Sequence, residues 1–330
     1  MKKFIIITSI FQPTEAIQKF AQLKDYHLIV VGDYKSPKNW SCNNVIYLSV
    51  KEQAKLNYNL INVLPYNHYS RKMIGYLKAI QNHADYIIDT DDDNIPKSNW
   101  AFPSFHNEYE CICENLSFVN IYQLFTKQKI WPRGLPLNLI NTPFHLDNFI
   151  SLKECHIGIW QGLADEDPDV DAIYRLTSDK PCYFNERNPV VLAKGTICPF
   201  NTQNTIITKE LFPLLYLPTY ATFRFTDILR GLVAQPIMWL YDLQLGFCNA
   251  TVVQKRNPHD YMKDFISEIP MYENCHKVIE IVESVISKKN SIENNLHIAY
   301  SALLKESIVS EHELTTLDAW LNDIISIINL

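Results

Sequence analysis

Glycine is scarce in this 330-residue chain, with 8 in all and none before Gly32. A phosphate loop built on bare backbone after the first strand needs glycine there, so a sugar-phosphate nucleotidyltransferase is the weaker of the nucleotide-binding readings. No segment approaches the roughly 20 apolar residues of a membrane helix. Met1-Lys2-Lys3 followed by FIIITSIF has the outline of a signal peptide. The apolar run is short, β-branched and without a small-residue cleavage site, so it reads as a first strand. Eight cysteines include no CxxC pair, and the nearest two, Cys111 and Cys113, lack a matching second pair. They read as reduced thiols of a cytosolic protein rather than zinc ligands. Positive charge is not in excess either: the net charge is −6, which argues against a general nucleic-acid binder.

What is present is the composition of a soluble globular protein, long enough for one large domain with an appendage. The pattern predicts strands over 3–10, 27–31, 45–48 and 85–89, with helices over 13–23 and 69–83 between them. Further strands are expected at 117–124 and 157–163, then a helix over 226–239 and amphipathic helices from about 272. Strands alternating with helices predict an α/β fold: a mixed, mainly parallel sheet flanked by helices, covering 1–265, with a C-terminal helical region at 266–330. Ligands of such sheets lie off the C-terminal strand ends. Asp33 and Asp89 are therefore expected on one rim.

The most informative stretch is YIIDTDDDNIP, residues 86–96. Ile87 and Ile88 end a buried strand, and Asp89, Asp91, Asp92 and Asp93 follow within five positions. Carboxylates so concentrated repel one another, and a divalent cation with oxygen ligands, Mn²⁺ or Mg²⁺, relieves that repulsion. The competing reading is a solvated acidic turn. An EF-hand is excluded because Asn94 and Trp100 stand where the loop needs Gly and Glu. A DxDxT phosphatase nucleophile would want Thr at Asp93 and an earlier strand.

A second acidic loop holds Asp165, Glu166, Asp167, Asp169 and Asp171, several of them placed to cap the helix that follows. Asp165, directly after a strand, is the one expected to face a ligand. Asp227 falls in the first turn of a helix, where the helix dipole favours a carboxylate.

The segment from Ser70-Arg71-Lys72 to Asp91-Asp92 resembles the helix-then-DxD unit of GT-A glycosyltransferases. More closely, the chain resembles the STELLO glycosyltransferases. The matching blocks are VVGDYKSP (30–37), YSRKMIGYLKAIQ (69–81), YIIDTDDDNIP, QGLADEDPDVDAIYRL (161–176), PFNTQNTIIT (199–208) and FRFTDILRG (223–231). No one block is specific alone; their order over residues 4–260 is.

The resemblance implies a metal-dependent, inverting GT-A enzyme that moves a sugar from a nucleotide-sugar donor to a glycan or lipid-linked acceptor. It implies Asp91 as a metal ligand, Asp93 as an alternative and His259 as a further ligand on metal or diphosphate. Thr8, Asp33, Lys35, Arg71, Asp89 and Arg230 would serve the donor. Asp227 would be the catalytic base, kept ionised by Arg224 and Arg230, and Asp165 would face sugar or acceptor. Each has a plainer alternative: Asp33 a turn cap, Arg71 a helix-surface arginine, His259 a solvated loop residue, Asp227 a helix cap paired with Arg230. Plant members of the family carry a membrane anchor. Its absence from this sequence leads to the expectation of a bacterial, cytoplasmic enzyme of surface polysaccharide assembly, at most peripheral to the inner membrane. A catalytically inactive GT-A scaffold is the non-enzymatic alternative.

Overall fold

The computed structural model describes residues 1–178, 180–256 and 260–328. The chain opens with β1 (Lys3–Thr8), α1 (Glu15–Phe20), β2 (His27–Val31), β3 (Val45–Leu48), α2 (Val50–Gln53), α3 (Lys72–Gln81), β4 (Tyr86–Thr90) and β5 (Asn94–Pro96). The middle holds β6 (His106–Ile112), β7 (Ser117–Phe118), α4 (Tyr122–Phe125), β8 (Ile150–Asp165), α5 (Ala172–Thr177), β9 (Val190–Leu192), β10 (Thr196–Ile197) and β11 (Asn204–Thr208). It ends with α6 (Thr226–Leu240), β12 (Gln244–Gln254), α7 (Tyr261–Val285), α8 (Ile292–Lys305) and α9 (Glu311–Ile328).

Among the described residues, ten strands form one sheet in the order β3-β2-β1-β4-β11-β8-β6-β9-β12-β5. The expected α/β fold with a mixed sheet is observed. Parallel pairing joins the N-terminal run β3-β2-β1-β4 and recurs between β8 and β12 and between β6 and β9. β11 enters antiparallel to both β4 and β8, and β6 is antiparallel to β8. Antiparallel neighbours thus interrupt the parallel pairing where β6 and β12, strands the sequence pattern did not reveal, enter the sheet. The expected strand over 117–124 breaks after β7: Asn120 accepts from the Tyr122 amide and donates to the Ile130 carbonyl, which turns the chain into α4.

Alternation along the strands sorts the core onto two faces. Phe4, Ile6, Ile29, Val31 and Ile87 join the core under α3 and α6, and Ile5, Ile7, Leu28, Val30 and Ile88 join the one under α1. Gly75 allows α3 to lie close on the sheet, since a Cβ there would come within 2.6 Å of Ile6 Cγ2 and 2.8 Å of Val31 Cγ2.

The boundary expected at 265/266 falls inside the continuous helix α7. The C-terminal helices complete the main core. Trp320 is fully buried, donates to the Pro213 carbonyl and meets Tyr76 edge-on. Asp323 accepts from the Asn59 and Leu60 amides, and Glu313 accepts from Thr219, Tyr220 and the Tyr216 hydroxyl. No helix among the described residues is long and apolar enough to cross a membrane.

Candidate active site

The ends of β1, β2 and β4 open onto a cleft of about 370 Å³. Thr8, Asp33, Lys35, Arg71, Asp91, Asp93 and Asp227, all read from sequence as site residues, line it. They come from the ends of β1, β2 and β4, the start of α3 and the first turn of α6, because the parallel strands end together and both helices begin beside them.

Asp89 and Arg230 do not reach the cleft, which corrects the expectation that both contact the donor. Strand alternation turns Asp89 to the side of Ile87, beneath α3 and α6, where it is fully buried. There it meets Lys72 Nζ at 2.7 Å, Arg230 Nη1 at 2.8 Å and the Tyr76 hydroxyl at 2.6 Å. Arg230 is therefore the counter-ion of Asp89 and does not accompany Asp227. Asp165 is also displaced: it pairs with Lys97 at 2.6 Å and accepts from the Phe184 amide at 3.0 Å, outside the cleft. Its place at the cleft wall is taken by Asp169. Asp171 caps α5 through the Tyr174 amide, as that loop's acidity suggested. His259 lies outside the described residues.

The three remaining aspartates of the acidic run have different surroundings. Asp92 is tied to the loop after β1, accepting from Ser9 Oγ at 2.5 Å while its carbonyl accepts from Thr14 Oγ1. Asp91 keeps its side chain 30% exposed and contacts Lys72 Nζ at 2.9 Å through Oδ1. Asp93 accepts from Gln254 through Oδ2 at 3.1 Å, whereas its Oδ1 is buried without a hydrogen-bond partner. Burial, reinforced by the Asp93 charge and opposed by Lys72, pushes Asp91 up to about 7. Burial pushes Asp93 up to about 6, with Asp92 adding to the rise. A buried carboxylate oxygen without a hydrogen-bond partner, beside two carboxyls raised by burial, is a donor set that fits a divalent ion. Two carboxylates, rather than a closed protein cage, suit an ion whose shell is completed by water and substrate phosphates.

Asp33 is partly spent on its own turn, accepting from the Tyr34 amide at 2.7 Å and the His68 amide at 3.3 Å. Arg71 stands 3.9 Å from it, but donates to Gln53 and to the Leu64 carbonyl and stacks over Tyr66. Lys35 is exposed at the rim and forms no ion pair among the described residues.

Opposite the acidic run lies a cluster the sequence reading did not assemble. Arg133 grips Asp169 with two bonds, Nε to Oδ1 at 2.8 Å and Nη2 to Oδ2 at 2.6 Å, and also donates to Asp227 Oδ2 at 2.9 Å. Burial works against charge on Asp169, but Arg133 and Arg224 more than offset it and hold the carboxyl below its ordinary value. Asp227 also accepts from the Thr202 amide at 3.3 Å and hydroxyl at 3.4 Å. The Tyr69 hydroxyl bonds Thr202 Oγ1 and lies 3.5 Å from Asp91 Oδ1. Tyr69 and Thr202 thus link Asp91 to Asp227 across the cleft floor. The only sequence signal for these partners was their place in the blocks 69–81, 161–176 and 199–208; Arg133 lay in none.

The site is thus an acidic run at a strand end of an α/β sheet, facing arginine-bound carboxylates across a cleft. Comparison with known proteins shows what the chain is similar to. The STELLO glycosyltransferase family model matches residues 224–328, which run from Arg224 through α9. The chain is 28% identical over 99% of its length to "Probable glycosyltransferase STELLO1" of Arabidopsis thaliana, and 27% identical over 99% to "Probable glycosyltransferase STELLO2" of the same plant. It spans 44% and 45% of those two proteins, less than half of either. The chain is similar to the STELLO glycosyltransferases, as its blocks indicated.

Proposed function

We propose that this chain is a metal-dependent glycosyltransferase of GT-A type, using a nucleotide-sugar donor and an inverting mechanism. The observation that carries the reading is the unpartnered, buried Oδ1 of Asp93 beside Asp91 at the end of β4. The names of the two plant relatives support the glycosyltransferase class. They lend no weight to a bacterial polysaccharide setting.

In this reading Asp91 and Asp93 hold Mn²⁺ or Mg²⁺. Bound there, the ion supplies Lewis-acid neutralisation of the departing diphosphate. Lys35, exposed and without an ion pair among the described residues, is a cation available to the donor phosphates, whereas Arg71 and Arg230 are already engaged. Asp33 and Thr8 bound the donor side. Asp227 takes the proton of the acceptor hydroxyl as that oxygen bonds the anomeric carbon and the carbon–phosphate-oxygen bond breaks, releasing the nucleoside diphosphate. Arg133 and Thr202 fix the orientation of that carboxylate. The acceptor is a glycan or lipid-linked glycan.

Release of nucleoside diphosphate from a panel of nucleotide sugars, with Mn²⁺ and with chelator, tests this. An enzyme releases diphosphate from at least one donor only when metal is present. A folded protein that releases none, with acceptors of both classes supplied, is the inactive scaffold instead.

A further inference from the structure

At the opposite end of the sheet from the cleft, β6 and β8 set two histidines and a glutamate on one solvent-facing surface. The antiparallel register puts His106 directly opposite His156, and Glu154 lies two residues before His156, on the same face by strand alternation. The two imidazole rings are 4.3 Å apart, and His106 Nε2 is 3.2 Å from a Glu154 carboxylate oxygen. One nitrogen or oxygen from each of the three residues lies within 4.8 Å of the other two. A tetrahedral ion with bonds of about 2.0–2.2 Å needs donors about 3.4 Å apart, a distance exposed side chains reach by small rotamer changes.

Two further features single out this surface. Glu108 stands directly opposite Glu154 in the same register, and like charges across a strand pair are destabilising. Neither glutamate pairs with a lysine or arginine among the described residues, so a cation here relieves a repulsion that the protein leaves standing. His106 and His156 also line a second cavity of about 370 Å³, bounded by Phe105, Ile157 and Leu243, which leaves room for a fourth ligand.

We propose that His106, Glu154 and His156 bind a divalent transition-metal ion of the Zn²⁺ class, with water or a small anion in the fourth position. The donor set decides the class. Imidazole nitrogen favours Zn²⁺, Cu²⁺ or Ni²⁺, whereas the carboxylates of the cleft favour Mn²⁺ or Mg²⁺. The two sites are thus chemically separate, and this one does not depend on the activity proposed above.

The test is calorimetric titration of the whole, chelator-stripped chain with ZnCl₂, in excess Mg²⁺ to occupy the cleft carboxylates. The expected result is one Zn²⁺ bound, with affinity lowered at least about tenfold by His106→Ala combined with His156→Ala, because two of three ligands are removed. Glu154→Gln should fall between, and Asp91→Asn should bind Zn²⁺ as the wild type does. Co²⁺ substituted for Zn²⁺ should show the visible bands of a four-coordinate ion, lost in the double histidine variant. Unchanged Zn²⁺ affinity in that variant, folded by circular dichroism, overturns the proposal. So does loss of the site in Asp91→Asn.

Discussion

Lys72 Nζ lies 2.9 Å from Asp91 Oδ1 at the cleft floor, while the lysine itself is wholly buried. The same nitrogen is 2.7 Å from Asp89, which Arg230 meets from the other side. Burial disfavours the ammonium charge, yet Asp89 and Asp91 together raise Lys72 above the ordinary lysine value. One lysine therefore joins a hidden ion cluster to the carboxylate that faces the ligand. It also offers Asp91 a positive partner when no metal is bound.

The first prediction follows from that burial. Lys72→Met keeps the bulk of the side chain and removes its charge, leaving Asp89 with Arg230 and the Tyr76 hydroxyl. Breaking a buried pair costs about 3–5 kcal/mol. Urea unfolding should show a midpoint lowered accordingly at unchanged slope. A loss of under about 1 kcal/mol, the range of exposed pairs, would contradict the burial of this cluster.

Trp320 tests whether the C-terminal helices belong to the core. Trp320→Ala deletes a fully buried indole and its bond to Pro213, a change that costs about 3–5 kcal/mol. The main unfolding transition should move as one. If α9 were a loose appendage, the main transition would stay put and only a small early one would appear.

Asp171 supplies a pH signature. It accepts from Trp131 Nε1 at 2.7 Å and from the Tyr174 amide, and burial pushes its carboxyl up to about 6. The folded chain therefore keeps a proton that the unfolded chain releases between about pH 4 and 6, so this residue's contribution to stability falls as pH rises through that window, by up to about 3 kcal/mol. Asp171→Asn retains the acceptor and removes the titration. The stability of the variant relative to wild type should rise from pH 4 to 6 and level off above. Parallel curves would mean the carboxyl does not titrate there.

Much of the site was legible because it is local. The acidic run after β4, the Asp33 turn after β2 and the first turn of α6 are each set by a strand or helix end that periodicity reveals. Asp89 was misread although the signal existed. It shares the face of Ile87 by alternation, and Lys72 and Tyr76, one helical turn apart, offer it partners from α3. The union of Arg133, Asp169 and Asp227 was not legible. It joins Asp227 of α6 and Asp169, 94 and 36 positions from Arg133, and both Arg133 and Asp169 lie in loops that carry no periodic pattern. The second half of the sheet was likewise hidden, since β12 returns to lie parallel to β8 and antiparallel to β9 only after α6.

Asp227→Asn separates catalysis from architecture. Asparagine still accepts from Thr202 but cannot take a proton. A catalytic base predicts retained donor binding with turnover reduced about 10²-fold or more. Turnover near wild type with a lowered melting midpoint would make Asp227 only the anchor of Arg133. Inversion at the anomeric carbon of the product should accompany the first outcome.

The most direct measurement is the melting midpoint of the chain across a panel of nucleotide sugars, with and without Mn²⁺, for wild type and for Asp91→Asn combined with Asp93→Asn. A ligand bound only to the native state raises the midpoint by mass action. The account predicts that at least one nucleotide sugar stabilises the wild type only when Mn²⁺ is present, and that the double variant, folded, shows no such rise. A donor that stabilises both proteins equally, or the wild type equally without metal, would contradict the claim that Asp91 and Asp93 bind it through a cation.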